Sequence, residues 1–361
     1  MEIACELISP EKRKPKYTDE GKLGFGQIFT DHMFTLQYHR DRGWYEPKIG
    51  PYRPFVLDPA TICLHYAQMI FEGLKAYHGP GGEIYLFRPG ENAKRMNRSA
   101  ERMCMPPLDE ELFLKAVKAL VWVDRAWLPK GKGTSLYIRP TMIATEKALG
   151  VHVSSEYLFF IILSAVGAYY AEGFNPTKIY VIEEYTRTAP GGIGHIKAAG
   201  NYAASLYASS IAAKKGYTQV LWLDAVHRRF VEEVGTSNIF FLIDDELITP
   251  PLTGTILPGI TRDSVITLAK HWQIKVVERP MAMDEVVASY KSGRLREVFA
   301  SGTAAVISPV GVLYYRGEEM VINEGKTGPL TQKLYDELMG IQYGEKEDPF
   351  GWRVRVDNER L

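Results

Sequence analysis

The chain reads as an α+β protein made of two mixed domains, and three observations carry that expectation. Its 361 residues are enough for two substantial cores, and contents of 46% hydrophobic and 24% charged residues are ordinary for a globular chain. Strand-like apolar runs and segments of helical period follow one another irregularly, without the strict strand–helix–strand alternation of a doubly wound sheet. Turn formers collect at Ala171-Glu172-Gly173-Phe174-Asn175-Pro176-Thr177, directly after the longest apolar run. A first domain over 1–170, a linker over 171–177 and a second domain over 178–361 follow from that cluster.

Taken in order, the first half carries strands at Ile84-Tyr85-Leu86-Phe87 and Leu136-Tyr137-Ile138-Arg139. One helix is expected from about Glu91, with Met96, Ala100 and Met103 on one face, and another from about Glu110 through Leu114, Val117, Leu120 and Val121. The run from about Tyr157 to Tyr170 is too short to cross a bilayer and holds Ser164 and Gly167, so it reads as a buried strand and its exit. The second half opens with the strand Lys178–Ile182. It continues through Gln219–Leu223 and Asn238–Ile243, with a helical composition over Ser205–Lys215 and a helix carrying Val265, Leu268, Ala269 and Trp272. After Gly344 the tail is polar but holds Phe350 and Trp352, which predicts that part of it docks.

Composition narrows the function. Lys plus Arg and Asp plus Glu both number 43, and there is no long basic run, which argues against a nucleic-acid or anionic-membrane partner. Cys5, Cys63 and Cys104 are scattered, the histidines are dispersed and no HExxH occurs, so no metal site is expected. The amino terminus shows no signal-peptide apolar core, and a cytoplasmic location is the expectation.

The chemistry is looked for around Lys197, within Gly191-Gly192-Ile193-Gly194-His195-Ile196-Lys197-Ala198-Ala199-Gly200-Asn201-Tyr202. An amine among small and apolar neighbours is desolvated, loses its proton more readily and can act as a Schiff-base nucleophile. Alone, such a lysine is more often an ordinary residue of a glycine-rich loop. An aldehyde cofactor such as pyridoxal phosphate adds three needs: an acid for its ring nitrogen, donors for its phosphate and a partner for its phenolate. Glu233, before an apolar strand in Glu233-Val234-Gly235-Thr236-Ser237-Asn238, suits the first. Leu257-Pro258-Gly259-Ile260-Thr261, at the entry to a helix, suits the second, because the first N–H groups of a helix attract anions. The small-residue turn Ser301-Gly302-Thr303-Ala304-Ala305 can present clustered N–H groups to a carboxylate or phosphate. Tyr202 suits the phenolate. Each has a bland alternative: a solvated turn acid, an ordinary helix entry, a tight turn or a core tyrosine.

Their joint order resembles the branched-chain amino acid aminotransferases, pyridoxal-phosphate enzymes of the fold-type-IV group. The resemblance runs through Phe29-Thr30-Asp31-His32-Met33, Leu64-His65-Tyr66, Phe71-Glu72-Gly73-Leu74-Lys75, Leu86-Phe87-Arg88-Pro89, Leu136–Pro140, Val166–Tyr169, Lys197–Tyr202, Glu233–Asn238, Ile256–Arg262 and Ser301–Ala305. It implies that Lys197 carries the cofactor and moves the reacting proton, while Glu233 pairs with the ring nitrogen and Tyr202 with the phenolate. It also implies that Arg95, Thr303 and the N–H groups of Ile260 and Thr261 hold the phosphate, with Thr236 and Ser237 in the cofactor site. The implied substrate pocket comprises Phe29, Phe71, Tyr137, Tyr169 and the Thr303-Ala304-Ala305 turn. Arg139 takes the distal carboxylate of 2-oxoglutarate, and Tyr66, Leu149 and Val151 reach the pocket of a second subunit in a homodimer. Ala305 and Ser308 stand where some animal members have a CxxC pair, so thiol control by that pair is not expected.

The implied activity is ping-pong transfer of the amino group from L-leucine, L-isoleucine or L-valine to 2-oxoglutarate. Other fold-type-IV activities remain open from the sequence: D-amino-acid or amine transamination, or an aminodeoxychorismate lyase. A nucleotide-dependent oxidoreductase fits poorly, because Lys197 stands where the third glycine of a GxGxxG would be. A cofactor-binding protein without turnover is a further alternative, opposed by the joint presence of Lys197, Glu233, Tyr202 and Arg95.

Overall fold

A computed structural model describes residues 1–167 and 174–357. The chain divides into two compact units, one of Met1–Tyr169, Lys197–Ala199 and Gly340–Leu361, the other of Tyr170–Ile196 and Gly200–Met339.

In the first unit the strands are β1 (Ala4–Cys5), β2 (Ile28–His39), β3 (Gly43–Pro51), β4 (Met69–Phe71), β5 (Leu74–His78), β6 (Ile84–Phe87), β7 (Ser135–Ala144) and β8 (Glu156–Val166). With a C-terminal strand, Arg353–Val356, they form one sheet ordered β1-β3-β2-β8-β7-β5-β6 and then the C-terminal strand, with β4 also paired to β7. Burial in these strands is nearly continuous in β7 and alternates with period two in β8. In β8, Tyr157, Phe159, Ile161 and Leu163 are buried while the residues between them are partly exposed. Three helices belong here: α1 (Ile62–Tyr66), α2 (Pro89–Arg102) and α3 (Glu110–Val123). The Asp109 carboxylate caps α3, accepting the Leu112 N–H at 2.7 Å, with Glu110 and Glu111 in the first turn. Met96 and Ala100 of α2 and Phe113, Val117 and Leu120 of α3 share one core with Phe34, Ile138, Phe159 and Ile161 of the sheet.

The second unit holds β9 (Thr177–Ile182), β10 (Gln219–Leu223), β11 (Val231–Val234), β12 (Asn238–Ile243), β13 (Glu246–Thr249), β14 (Lys275–Glu278), β15 (Leu295–Gly302), β16 (Val306–Tyr315) and β17 (Glu318–Val321). Their order is β11-β10-β9-β16-β15-β12-β13-β14, with β17 added to β16. Helices α4 (Ala199–Lys214), α5 (Ile260–His271), α6 (Met283–Lys291) and α7 (Pro329–Tyr343) complete the element order. Strand β9 is buried on both faces. Ile179 and Val181 pack with Met283 and Val286 of α6, whereas Tyr180 and Ile182 pack with Ala208 and Ala212 of α4. Phe240 and Phe299 are cross-strand partners stacked 5.0 Å apart at 11°, fully buried. Such a pair contributes about 0.5–1.5 kcal/mol beyond its buried area.

Two sequence expectations are corrected. The tail does not belong with the expected 178–361 domain, since Gly340–Leu361 groups with the first unit. Arg353–Val356 pairs antiparallel with β6, and Trp352 lies edge-on to Phe87 at 5.6 Å and stacks on Phe350 at 4.3 Å. The docking comes from backbone pairing as well as from the two aromatics. The helix expected from Ser205 begins earlier, at Ala199, because Asn201 and Ser205 are its buried polar positions and break the apolar pattern at its start. Among the described residues no helix is long and apolar enough to cross a membrane.

Candidate active site

The segment Lys197–Ala199 is held within the first unit by hydrogen bonds of its backbone. Phe71 N–H donates to Lys197 C=O at 3.1 Å, Ile70 bridges Ala198, and Lys197 N–H donates to Ser99 Oγ of α2 at 3.1 Å. Lys197 Nζ lies 4.7 Å over the Phe71 ring. Burial above all, helped by Arg95 and Arg139 and opposed by Glu72 and Tyr137, pushes the Lys197 ammonium down to about 8. Near neutral pH the lysine therefore has an accessible lone pair that a surface lysine lacks.

Beside it sits a buried ion pair. Arg95 donates from Nε to Glu72 Oε1 at 2.7 Å and from Nη2 to Oε2 at 2.8 Å, and Asn92 Nδ2 adds a third bond to Oε2 at 2.8 Å. Burial alone would raise the Glu72 carboxyl, but Arg95, Lys197 and Asn92 together hold it below its ordinary value. Arg95 thus commits two nitrogens to Glu72, a fork geometry that a lysine cannot make. On β7, Arg139 Nη2 donates to Tyr137 Oη at 3.0 Å, and its guanidinium carbon lies 4.7 Å from the centre of the Phe71 ring. Phe29, at the start of β2, stacks on Tyr52 at 5.4 Å. Tyr66 donates its hydroxyl to Leu149 C=O, while Leu149 and Val151 are 65% and 83% exposed. The expected pocket residue Tyr169 lies outside the described residues.

The second unit holds the other candidates. Glu233, near the end of β11, is a buried residue whose Oε1 accepts from Asn238 Nδ2 at 3.1 Å, and whose Oε2 lies 2.8 Å from Arg187 Nη1. The tight turn after it exposes Thr236 and buries Ser237. Helix α5 starts at Ile260 with Gly259 as its cap and no capping side chain, and Thr261 is buried in its first turn. A side chain at Gly259 is impossible without movement, because its Cβ would lie 2.0 Å from Asn238 Oδ1. Thr303, Ala304 and Ala305 form the partly buried turn between β15 and β16. Val306 closes that turn at φ +60°, a strained conformation for a β-branched residue and the kind kept where a turn serves a site. Tyr202 is half-buried in α4.

These residues fit a phosphorylated aldehyde cofactor. In the first unit Lys197 supplies a desolvated amine; in the second, the start of α5 behind Gly259 is a setting of the kind that attracts an anion. The hydroxyl of Ser301, next to the Gly302–Ala305 turn, is buried without a hydrogen-bond partner. Sequence reasoning missed Glu72, Arg187, Asn238 and Ser99. A carboxylate inside the apolar run Ile70–Leu74 was the available signal for Glu72, and Asn238 stands only five positions from Glu233; the partners of Arg187 and Ser99 are distant in sequence and left none.

The family model described as amino-transferase class IV matches residues 69–312. The chain is 52% identical over 354 residues to branched-chain-amino-acid aminotransferase 2 of Bacillus subtilis (strain 168), spanning 98% of this chain and 97% of that protein. Its fold is similar to the crystal structure of the Escherichia coli branched-chain amino acid aminotransferase, with a TM-score of 0.76 and 29% identity over 91% of this chain and 99% of that one. The branched-chain amino acid aminotransferase from Thermobaculum terrenum, solved in its PLP form, gives a TM-score of 0.74 at 28% identity, over 92% of this chain and 100% of that one.

Proposed function

The chain belongs to the class IV aminotransferase family, and on that premise we propose that Lys197 is the residue that carries its reaction. The activity is that of a pyridoxal-phosphate-dependent branched-chain amino acid aminotransferase. The amino group of L-leucine, L-isoleucine or L-valine passes reversibly to 2-oxoglutarate, giving a branched 2-oxo acid and L-glutamate. Pyridoxal phosphate, when bound, supplies the electron sink conjugated to the substrate's amino group. Lys197 would hold the cofactor, and its neutral amine would take the proton from the substrate Cα. The observation behind this role is the burial of the Lys197 amine, 4.7 Å over the Phe71 ring, which lowers its ammonium to about 8, suited to proton transfer near neutral pH.

The remaining roles follow the chemistry of each group. Glu233 would hold the ring nitrogen, Tyr202 the phenolate, and Arg95, Thr303 and the first turn of α5 at Ile260 and Thr261 the phosphate, with Thr236 and Ser237 also toward the cofactor. Phe29, Phe71 and Tyr137 would shape an apolar pocket for a branched side chain. The N–H groups of the Thr303-Ala304-Ala305 turn take the substrate carboxylate, and Arg139 takes the distal carboxylate of 2-oxoglutarate or glutamate, which a branched substrate lacks. A homodimer accounts for the exposure of Leu64, Tyr66, Leu149 and Val151, an apolar group that a second subunit would cover. Three free cysteines suit the reducing cytoplasm.

The test is glutamate formation from 2-oxoglutarate across L-branched, L-aromatic and D-amino acids, with Lys197→Ala in parallel. Turnover with leucine, isoleucine and valine that vanishes in the variant supports the reading. Retained steady-state turnover in Lys197→Ala would refute the assignment of Lys197.

A further inference from the structure

We propose that Arg187 is a positioning residue of the cofactor site, acting through Glu233; the proposal rests on the reading of Glu233 as the partner of the ring nitrogen. Arg187 is 8% exposed and Glu233 2%, and Nη1 lies 2.8 Å from Glu233 Oε2. The other carboxylate oxygen is held by Asn238 Nδ2, so the acid is gripped from both sides. The same guanidinium donates to Thr255 C=O at 3.0 Å and, from both terminal nitrogens, to Gly194 C=O at 3.4 Å.

One side chain thus joins three segments of the second unit. They are the strand that carries Glu233, the loop through Gly194 that runs on to Lys197 in sequence, and the loop through Thr255 that leads into α5. The junction is tight. A Cβ on Gly194 would lie 2.3 Å from Thr255 C=O and 2.6 Å from Thr188 Oγ1, which itself donates to Thr255 C=O at 2.8 Å. The planar, multi-donor guanidinium hydrogen-bonds two carbonyls while keeping its charge against the carboxylate, which a lysine ammonium cannot match in geometry. Without the Arg187 charge beside it, this buried carboxylate would turn toward other donors, and its oxygen would no longer be fixed for a ring nitrogen.

The test uses the full-length protein and pyridoxal phosphate, measuring the dissociation constant and the visible absorption of the bound cofactor in Arg187→Met, Arg187→Lys, Glu233→Gln and the Arg187→Met/Glu233→Gln pair. Arg187→Met is expected to weaken binding by about tenfold or more and to change the absorption band as Glu233→Gln does, with Arg187→Lys recovering part of both. In the double variant the loss is smaller than the product of the two single losses, the mark of one residue acting through the other. A lower melting temperature in Arg187→Met with binding and absorption unchanged would overturn the proposal and leave Arg187 a purely structural pair. If Glu233→Gln itself left both unchanged, the role of Glu233 would fail and this inference with it. If only the Arg187 variants were silent, this inference alone would fail. Should Arg187→Met not fold, Arg187→Lys, which keeps the charge but loses the fork, carries the same comparison.

Discussion

Arg95 grips Glu72 through two parallel bonds of 2.7 and 2.8 Å, with both side chains almost wholly out of water. The carboxylate is therefore a fixed negative charge near Lys197 as well as an anchor for Arg95. Breaking one side of such a pair leaves the other charge buried and unmatched. Glu72→Gln is expected to destabilise the protein by about 3–5 kcal/mol, read from urea denaturation of the cofactor-free form. A change below about 1 kcal/mol would show that Arg95 finds another anion.

The rate of cofactor capture should depend on pH through Lys197. Its ammonium is lowered to about 8, so the neutral, reactive amine is scarce below that pH and dominates above it. Capture of pyridoxal phosphate by the cofactor-free protein, followed by absorbance, is expected to rise with pH around a midpoint of about 8. Because Glu72 raises the lysine's value, Glu72→Gln should move that midpoint down. A midpoint near the ordinary lysine value of about 10.4 would contradict the desolvated setting.

Gly259→Ala puts a methyl group 2.0 Å from Asn238 Oδ1, so the amide must move, and with it one of the bonds to Glu233. Weaker pyridoxal phosphate binding, by about tenfold, is the expected outcome in an equilibrium titration. Wild-type affinity would mean that the entry to α5 shifts freely.

Arg139→Met should separate the two half-reactions. On the proposed reading the arginine recognises a second carboxylate, which 2-oxoglutarate and glutamate carry and a branched substrate lacks. KM for 2-oxoglutarate is expected to rise at least about tenfold, while single-turnover deamination of leucine changes by less than about threefold. Equal losses in both would assign Arg139 to the architecture of β7, through its bond to Tyr137, rather than to recognition.

Much of this protein was legible in its residues alone. Apolar runs marked β6, β8, β10 and β12, and the apolar spacing of Leu114, Val117, Leu120 and Val121 marked α3, because burial along an element is set by neighbours a few positions away. The glycine-rich surroundings of Lys197 and the ordered motifs from Phe29 to Ala305 pointed to the family and the cofactor. What the tertiary structure decided were pairings between distant segments. Glu72 meets Arg95 across 23 positions, Arg187 meets Glu233 with α4 and β10 between them in the chain, and the tail closes the edge of the first sheet beside β6. A period shows which face of an element is buried, but not which partner that face meets. Choosing the partner of a buried charge is a matter of where the backbone places the two groups, and only the folded chain settles it.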